Sequence, residues 1–291
     1  MRFILDCDPG LDDAIAILSA AGFSSSGAEL LAITTTWGNV SAEKTYRNAK
    51  IVAGLANIRC PVFFGERTSI KNEIYSAKKV HGEDGLGGFS EKYKRYYQDS
   101  KTASSVEFIK NLKKFRIIAT GPLTNIAKVL MDSPEIEQDI EEIVWMGGAL
   151  FTSGNTTSHS EFNAYCDPDA LEIVLNSKIP LTVVPLDVTL KTYIRKEDFR
   201  NLISDVSSEI KEFLEDITSV SKGITLHDPL AVTYFFKRDI LKTVRANIKV
   251  DTKCFRGKTT ATVLPWGRAE IAYEINRKLF FETLRNSLER L

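Results

Sequence analysis

Short apolar runs bounded by turn residues alternate with longer segments of helical spacing along most of this chain. The apolar run at residues 2–7 predicts a first strand, and residues 11–19 carry the spacing of a buried helix. A second strand over 29–35, rich in Leu, Ile and Thr, precedes a helix over 41–55 and a short strand over 61–64. Strands follow at 115–119, 141–146 and 179–184, with helices at 124–131 and 168–176 between them. A helical stretch over 204–236 is interrupted near Gly223; strands around Ile248 and Thr260 and a helix over 275–290 complete the pattern. Such alternation predicts an α/β fold: an open, mainly parallel (mixed) sheet with helices on both faces. No internal repeat or low-complexity linker divides the chain, so a single domain over residues 1–291 is expected.

Residues 66–100 depart from this rhythm. They are Gly-rich, Lys-rich and poorly periodic, with His81-Gly82-Glu83-Asp84-Gly85-Leu86-Gly87-Gly88 near their centre. Long loops of this kind inside compact domains are commonly lids or binding loops.

Composition narrows the function classes. A hydrophobic content of 43% in 291 residues fills a substantial core, and 38 basic residues balance 38 acidic ones. Nothing global draws the chain to nucleic acid or to an anionic membrane. No apolar run approaches a membrane span, and Met1 and Arg2 lead directly into the first strand without room for a secretory h-region; a cytoplasmic location is expected. Cys7, Cys60, Cys166 and Cys254 lack C-x-x-C spacing, which suits reduced thiols and neither a zinc knuckle nor a disulfide framework. The triplets at Asn39 and Asn155 then have no role as glycosylation sites.

Any special chemistry is therefore local. In open α/β sheets ligands bind beyond the carboxyl ends of the parallel strands. The segments following the predicted strands are Asp6 to Asp13, Thr36 to Asn39, Thr120 to Asn125, Met146 to Asn163, and Asp187 with Thr189. All five should share one edge. Carboxylates, amides and hydroxyls dominate them, and the first three hold no Arg or Lys, which favours a cation plus a neutral polyhydroxylated ligand over a phosphate. Two carboxylates about 4 Å apart repel by about 4 kcal/mol at an effective dielectric of about 20. A helix N-terminus offers only about half a positive charge against Asp8, Asp12 and Asp13. Protonation or a bound cation must balance the rest, and oxygen-only ligands in an irregular set favour calcium.

Plainer readings exist for each group. Asp12 alone would read as a helix N-cap and Asp13 as a dipole partner, but Asp6 and Asp8 exceed what capping requires. The chain has three histidines, His81, His159 and His227. His227 opens His227-Asp228-Pro229, where it reads equally as a proton donor beside a metal ligand or as an ordinary helix start capped by Asp228. Glu161-Phe162-Asn163 reads as site or as plain loop, and Trp37, Trp145 and Trp266 as core.

The run Asp6-Cys7-Asp8-Pro9-Gly10-Leu11-Asp12-Asp13-Ala14 resembles the N-terminal signature of the nucleoside hydrolases, the inosine-uridine preferring nucleoside N-ribohydrolases. Ala32-Ile33-Thr34-Thr35 to Gly38-Asn39, Thr120-Gly121-Pro122-Leu123-Thr124-Asn125-Ile126-Ala127, Met146-Gly147-Gly148, Asn155 with Glu161-Phe162-Asn163, and His227-Asp228-Pro229 resemble further motifs of that family in the family's order. The resemblance implies a Rossmann-like nucleoside hydrolase fold and calcium-dependent cleavage of a ribonucleoside, purine or pyrimidine, to ribose and free base, as in salvage. It implies a calcium ion held by Asp8, Asp13, Asp228 and the Thr120 carbonyl, with Asp8 also deprotonating the attacking water. Asp12, Asn39, Asn155, Glu161 and Asn163, with Met146, would grip the ribose. His227 would protonate the leaving base, with His81 in the corresponding mobile loop. A homodimer or homotetramer is expected on the same ground, with neither nucleic acid nor membrane as partner.

One branch of the family handles the base with tyrosines upstream of His-Asp-Pro, and residues 213–226 here contain none. Two rival readings remain at this point. A haloacid-dehalogenase-like phosphohydrolase also carries Asp-x-Asp after its first strand, although Pro9-Gly10-Leu11-Asp12-Asp13 replaces the expected hydroxyl-bearing continuation. A non-catalytic ribose- or nucleoside-binding protein would use the same scaffold.

Overall fold

A computed structural model describes residues 1–97 and 103–291. Its main sheet has nine strands among the described residues: β1 (Arg2–Cys7), β2 (Glu29–Thr35), β3 (Val62–Phe63), β4 (Phe115–Ala119), β5 (Ile140–Met146), β6 (Leu181–Val184), and, past a small antiparallel pair β7 (Ile194–Arg195) and β8 (Gly223–Ile224), β9 (Leu241–Asp251), β10 (Lys258–Val263) and β11 (Ala269–Ile275). Their order is β10-β9-β11-β6-β5-β4-β1-β2-β3. From β6 to β3 every pairing is parallel, and β9 alone pairs antiparallel with both β10 and β11. The sheet is mixed and mostly parallel, as expected.

Alternation along β1 sends Phe3, Leu5 and Cys7 to one face and Ile4 to the other, and both are fully buried. On the first face pack helices Leu11–Ser24, Ala42–Leu55, His227–Phe236 and Arg277–Leu288, through Ile15, Ile51, Leu230 and Leu284. Thr124–Asp132 and Pro168–Asn176 cover the second, through Ile126 and Leu171. The chain runs outward from β1 to β2 and β3, then returns to place β4 on the other side of β1. Connections after β1 and β4 therefore diverge, opening a crevice at their carboxyl ends.

Several expectations need correction. Ala269–Ile275 is a strand, and the last helix begins after it, at Arg277. The segment Ala-Glu-Ile-Ala-Tyr-Glu-Ile is rich in helix formers, and pairing between β6 and β9 overrides that preference. The stretch 204–236 resolves into helices Ser208–Ile217 and His227–Phe236 with β8 between them. The long loop contains a short helix Lys78–His81 and a 3₁₀ turn Lys94–Tyr96; its predicted end at Ser100 lies outside the described residues. Trp37 and Trp145 are core, but Trp266 is 73% exposed on the β10–β11 turn.

Candidate active site

The turn Asp8-Pro9-Gly10 joins β1 to helix Leu11–Ser24, whose N-cap is Gly10. The capping carboxylate is Asp13, whose Oδ2 accepts the Gly10 N–H at 3.0 Å. Asp13 is further held by Asn39 Nδ2 and by the Thr120 hydroxyl, both at 3.0 Å. Asp12 caps nothing in its own helix; its Oδ2 stands 3.4 Å from the Asp228 amide, at the N-terminus of helix His227–Phe236. Asp12, Asp13 and Asp228 bring one oxygen each within 4.8 Å of one another.

Asp8 lies beside this trio with no solvent exposure. Its Oδ2 accepts the Asn39 amide at 2.8 Å, while its buried Oδ1 has no hydrogen-bond partner. Two glycines make room for it. A Cβ on Gly38 would overlap Asp8 Oδ2, and one on Gly121 would stand 2.8 Å from Oδ1. Asp6 is turned to support: its Oδ1 accepts from Thr34 Oγ1 at 2.6 Å and from Asn125 Nδ2 at 2.7 Å, and Asn125 in turn accepts the Glu66 amide at the root of the long loop.

Burial raises every carboxyl of this group. Asp12 is raised to about 6 and Asp13 to about 7, the latter also by the charge of Asp12. Burial, then the charge of Asp13, drives Asp8 well above the carboxylate range; burial, then Asp12, Asp13 and Asp8, does the same to Asp228. So many buried carboxyls cannot all ionise together without a compensating cation. The donors are all oxygen, and Asp8 beside them keeps one buried carboxylate oxygen unpartnered, so the residues present fit a hard divalent cation.

Above the carboxylates opens a cavity of about 680 Å³. Of the residues singled out in the sequence, Asp12, Asn39, His81, Thr120, Met146, Asn155, Glu161, Asn163, His227 and Asp228 line it; Asp8 and Asp13 lie beneath its floor. Asn163 Nδ2 donates to the carbonyls of Thr120 at 2.8 Å and Met146 at 3.1 Å, tying the ends of β4 and β5 together. Glu161 N-caps helix Phe162–Cys166, accepting the amides of Asn163, Ala164 and Gly148 at 2.7, 3.0 and 2.9 Å. Burial raises its carboxyl despite these donors. Asn155 lies on the exposed rim and accepts the Phe162 amide at 2.9 Å. His81 and His227 are both anchored through Nδ1: His81 Nδ1 accepts the Leu11 amide at 3.0 Å, and His227 Nδ1 lies 2.8 Å from Thr189 Oγ1. Burial lowers both imidazoles to about 4, so each is neutral near pH 7. His159 is exposed and lies against Phe255, away from the cavity.

The fifth segment also reaches this edge, since Asp187 accepts the amides of Leu150 and Phe151 at 3.0 and 2.8 Å. Other participants left no mark in the sequence. The apolar wall is Leu11, Val80, Phe162, Val220 and Ile224, brought together from distant segments. Arg256, in the β9–β10 turn, donates to the Tyr165 and Cys166 carbonyls at 2.8 Å each and pairs with Glu73, clamping helix Phe162–Cys166 to the long loop. No tryptophan lines the cavity among the described residues.

Known proteins resemble this chain in sequence and in fold. The family profile described as inosine-uridine preferring nucleoside hydrolase matches residues 3–282. The pyrimidine-specific ribonucleoside hydrolase RihA of Salmonella enteritidis is 36% identical, with 99% of this chain and 98% of that protein covered. RihA of Shewanella woodyi is 34% identical over 98% and 97%. Among solved structures, a purine-preferring ribonucleoside hydrolase from Gardnerella vaginalis superposes with a TM-score of 0.89 at 31% identity, covering 99% of this chain and 98% of that one. Neither the phosphohydrolase nor the non-catalytic binder is favoured by these likenesses. The chain belongs to the inosine-uridine preferring nucleoside hydrolase family and is an N-ribosyl hydrolase.

Proposed function

We propose that this enzyme hydrolyses ribonucleosides to ribose and free base with calcium as its metal, and that pyrimidine ribonucleosides are its better substrates. The observation that carries the reading is the buried carboxylate set at the cavity floor, where Asp12, Asp13 and Asp228 converge and the neighbouring Asp8 keeps Oδ1 unpartnered. Asp8, Asp13, Asp228 and the Thr120 carbonyl would hold the ion. When bound, it balances the carboxylates, orients the ribose diol and acidifies a water in the site.

The protein's own groups account for the remaining chemistry. Asp8 takes a proton from water as the water oxygen bonds to C1′ and the C1′–N bond breaks, its electron pair leaving with the base. Asp12, Asn39, Asn155 and Asn163 offer polar contacts to the ribose hydroxyls, with Met146 beneath the ring. Glu161, engaged by three amides, shapes that wall and places a negative field near the positive charge that develops on the sugar. His227 hydrogen-bonds the leaving base and assists its protonation, with His81 lining the same cavity.

The preference for pyrimidines rests on the names of the RihA relatives and on a base-side wall of aliphatic residues and Phe162. The test is ribose release from uridine, cytidine, inosine, adenosine and guanosine, in calcium and after chelation. Activity that disappears with chelator and returns with calcium, with kcat/KM for uridine or cytidine at least about 10-fold above the purines, is expected. No ribose from any nucleoside in calcium would sink the proposal, and equal restoration by magnesium would sink its calcium component.

A further inference from the structure

We propose that Thr189 is a positioning residue that fixes His227 in the tautomer protonated on Nε2, so that the ring offers the cavity a hydrogen-bond donor and keeps its lone pair turned inward. The proposal rests on the reading of His227 as the group that assists protonation of the leaving base.

The geometry begins with a donor inventory. Thr189 has no solvent exposure, and its hydroxyl makes one hydrogen bond among the described residues, to His227 Nδ1 at 2.8 Å. A buried hydroxyl proton needs an acceptor. Backbone carbonyls do not meet that need here, because the nearest one in the helical register, that of Pro185, already accepts the amides of Val188 and Thr189. If Thr189 donates, Nδ1 is the acceptor and the proton of the neutral ring sits on Nε2. The opposite assignment, Nδ1–H donating to Oγ1, strands the hydroxyl proton in the interior and turns a lone pair toward the substrate. Nε2 has no protein partner among the described residues, and the ring lines the cavity.

The contact is also braced. Thr192 Oγ1 donates to the Thr189 carbonyl at 2.7 Å and accepts the Leu226 amide at 2.9 Å, so the turn after β6 is tied to the residue that precedes His227. In the same cavity His81 gives an unambiguous parallel. Its Nδ1 accepts from a backbone N–H, which can only donate, so its proton also sits on Nε2. Both cavity imidazoles thus present N–H groups. The neutral ring needs no imidazolium for this role: its Nε2–H donates a hydrogen bond to the base nitrogen as that nitrogen gains the electron pair of the broken C1′–N bond, and the departing base then takes up its proton from water.

With three histidines in the chain, selective ¹⁵N-histidine labelling yields three pairs of ring signals that His-to-Gln variants assign. At neutral pH His227 is expected to show a protonated Nε2 and a bare Nδ1, the same signature as His81. The isosteric Thr189→Val should shift His227 to the other tautomer or to a mixture, and Thr189→Ser should restore it. In turnover, Thr189→Val should lower kcat on a nucleoside by about 10- to 100-fold, the lower part of what a general acid contributes, with KM little changed. It should leave hydrolysis of p-nitrophenyl riboside, whose leaving group needs no proton, near the wild-type rate.

A wild-type ring protonated on Nδ1, an unchanged tautomer in Thr189→Val, or an equal loss on both substrates would overturn the proposal. If no nucleoside is hydrolysed by the wild type, the functional reading fails by itself, and the ring signals still decide the tautomer.

Discussion

Asp8 has one oxygen held by the Asn39 amide and one left bare in the interior, and every neighbour within reach keeps it so. Gly38 and Gly121 are small because a side chain at either would collide with its carboxylate. Asp8→Asn keeps the shape but removes both the base and a charge that the metal needs. A fall in kcat of at least ~10³-fold is expected in a ribose-release assay, against ~10²-fold for His227→Gln, since the ribose and metal contacts survive the latter. Gly121→Ala should behave like a partial Asp8 variant, with weakened calcium affinity and a melting temperature close to wild type. Loss of activity in Gly121→Ala with calcium affinity intact would contradict the crowding argument. At this scale the sequence was informative, because carboxylates at alternate strand positions followed by two more serve no folding need. Asp6 was harder. Its partners Thr34 and Asn125 are far away in the chain, and only the pairing of β1 with β2 on one side and β4 on the other brings them to it.

One side chain ties together the centre of the long loop. Asp84 Oδ1 accepts the amides of Leu86 and Gly88 at 3.0 and 2.8 Å, and Oδ2 accepts that of Ser90 at 2.9 Å. Burial pushes this carboxyl up, but the Ser90 and Gly88 amides, the Ser90 hydroxyl and the Leu86 amide outweigh it and hold it below its ordinary value of 3.8. A depressed folded pKa contributes order above that value and loses it only in stronger acid, so the loop is fully tied at neutral pH. Asp84→Ala should free these amides and loosen the segment that carries His81 and Val80 to the cavity wall. Limited proteolysis near residues 78–90 should accelerate and kcat/KM fall by about 10-fold, mostly through KM, while the overall melting temperature barely moves. Unchanged proteolysis would show that the loop has other anchors. The sequence marked this loop as unusual without marking its anchor, since an Asp among glycines is a common turn feature. Strand β11 stayed hidden for a different reason. Its Ala and Glu residues favour a helix, and only the vacant edge of β6 makes a strand of them.

For the whole molecule, the carboxyl cluster couples stability to metal and to pH. Asp6 and Asp12 are raised to about 6 and Asp13 to about 7, chiefly by burial. In the unfolded chain the same groups ionise near 3.8. Between those values the ion-free fold binds more protons than the unfolded chain, so its stability falls as pH rises through that window. Carboxyls held low, such as Asp84 and Asp139, act in the opposite sense but titrate below 3.8, outside it. A bound divalent cation takes the place of the protons on the carboxyls around it and reduces the slope, releasing protons as it binds, while Asp6 keeps its smaller share. In chelator, the melting temperature should therefore drop between pH 5 and 7.5, whereas with saturating calcium the drop should be much smaller. The gap at pH 7.5 should be on the order of 5 °C, because 1 kcal/mol corresponds to ~2–4 °C in a chain of roughly this size. A gap of equal size at both pH values would mean that the ion stabilises the fold without displacing protons. The raised carboxyls would then not be its ligands, and the metal site would have to be sought elsewhere than at the β1 turn.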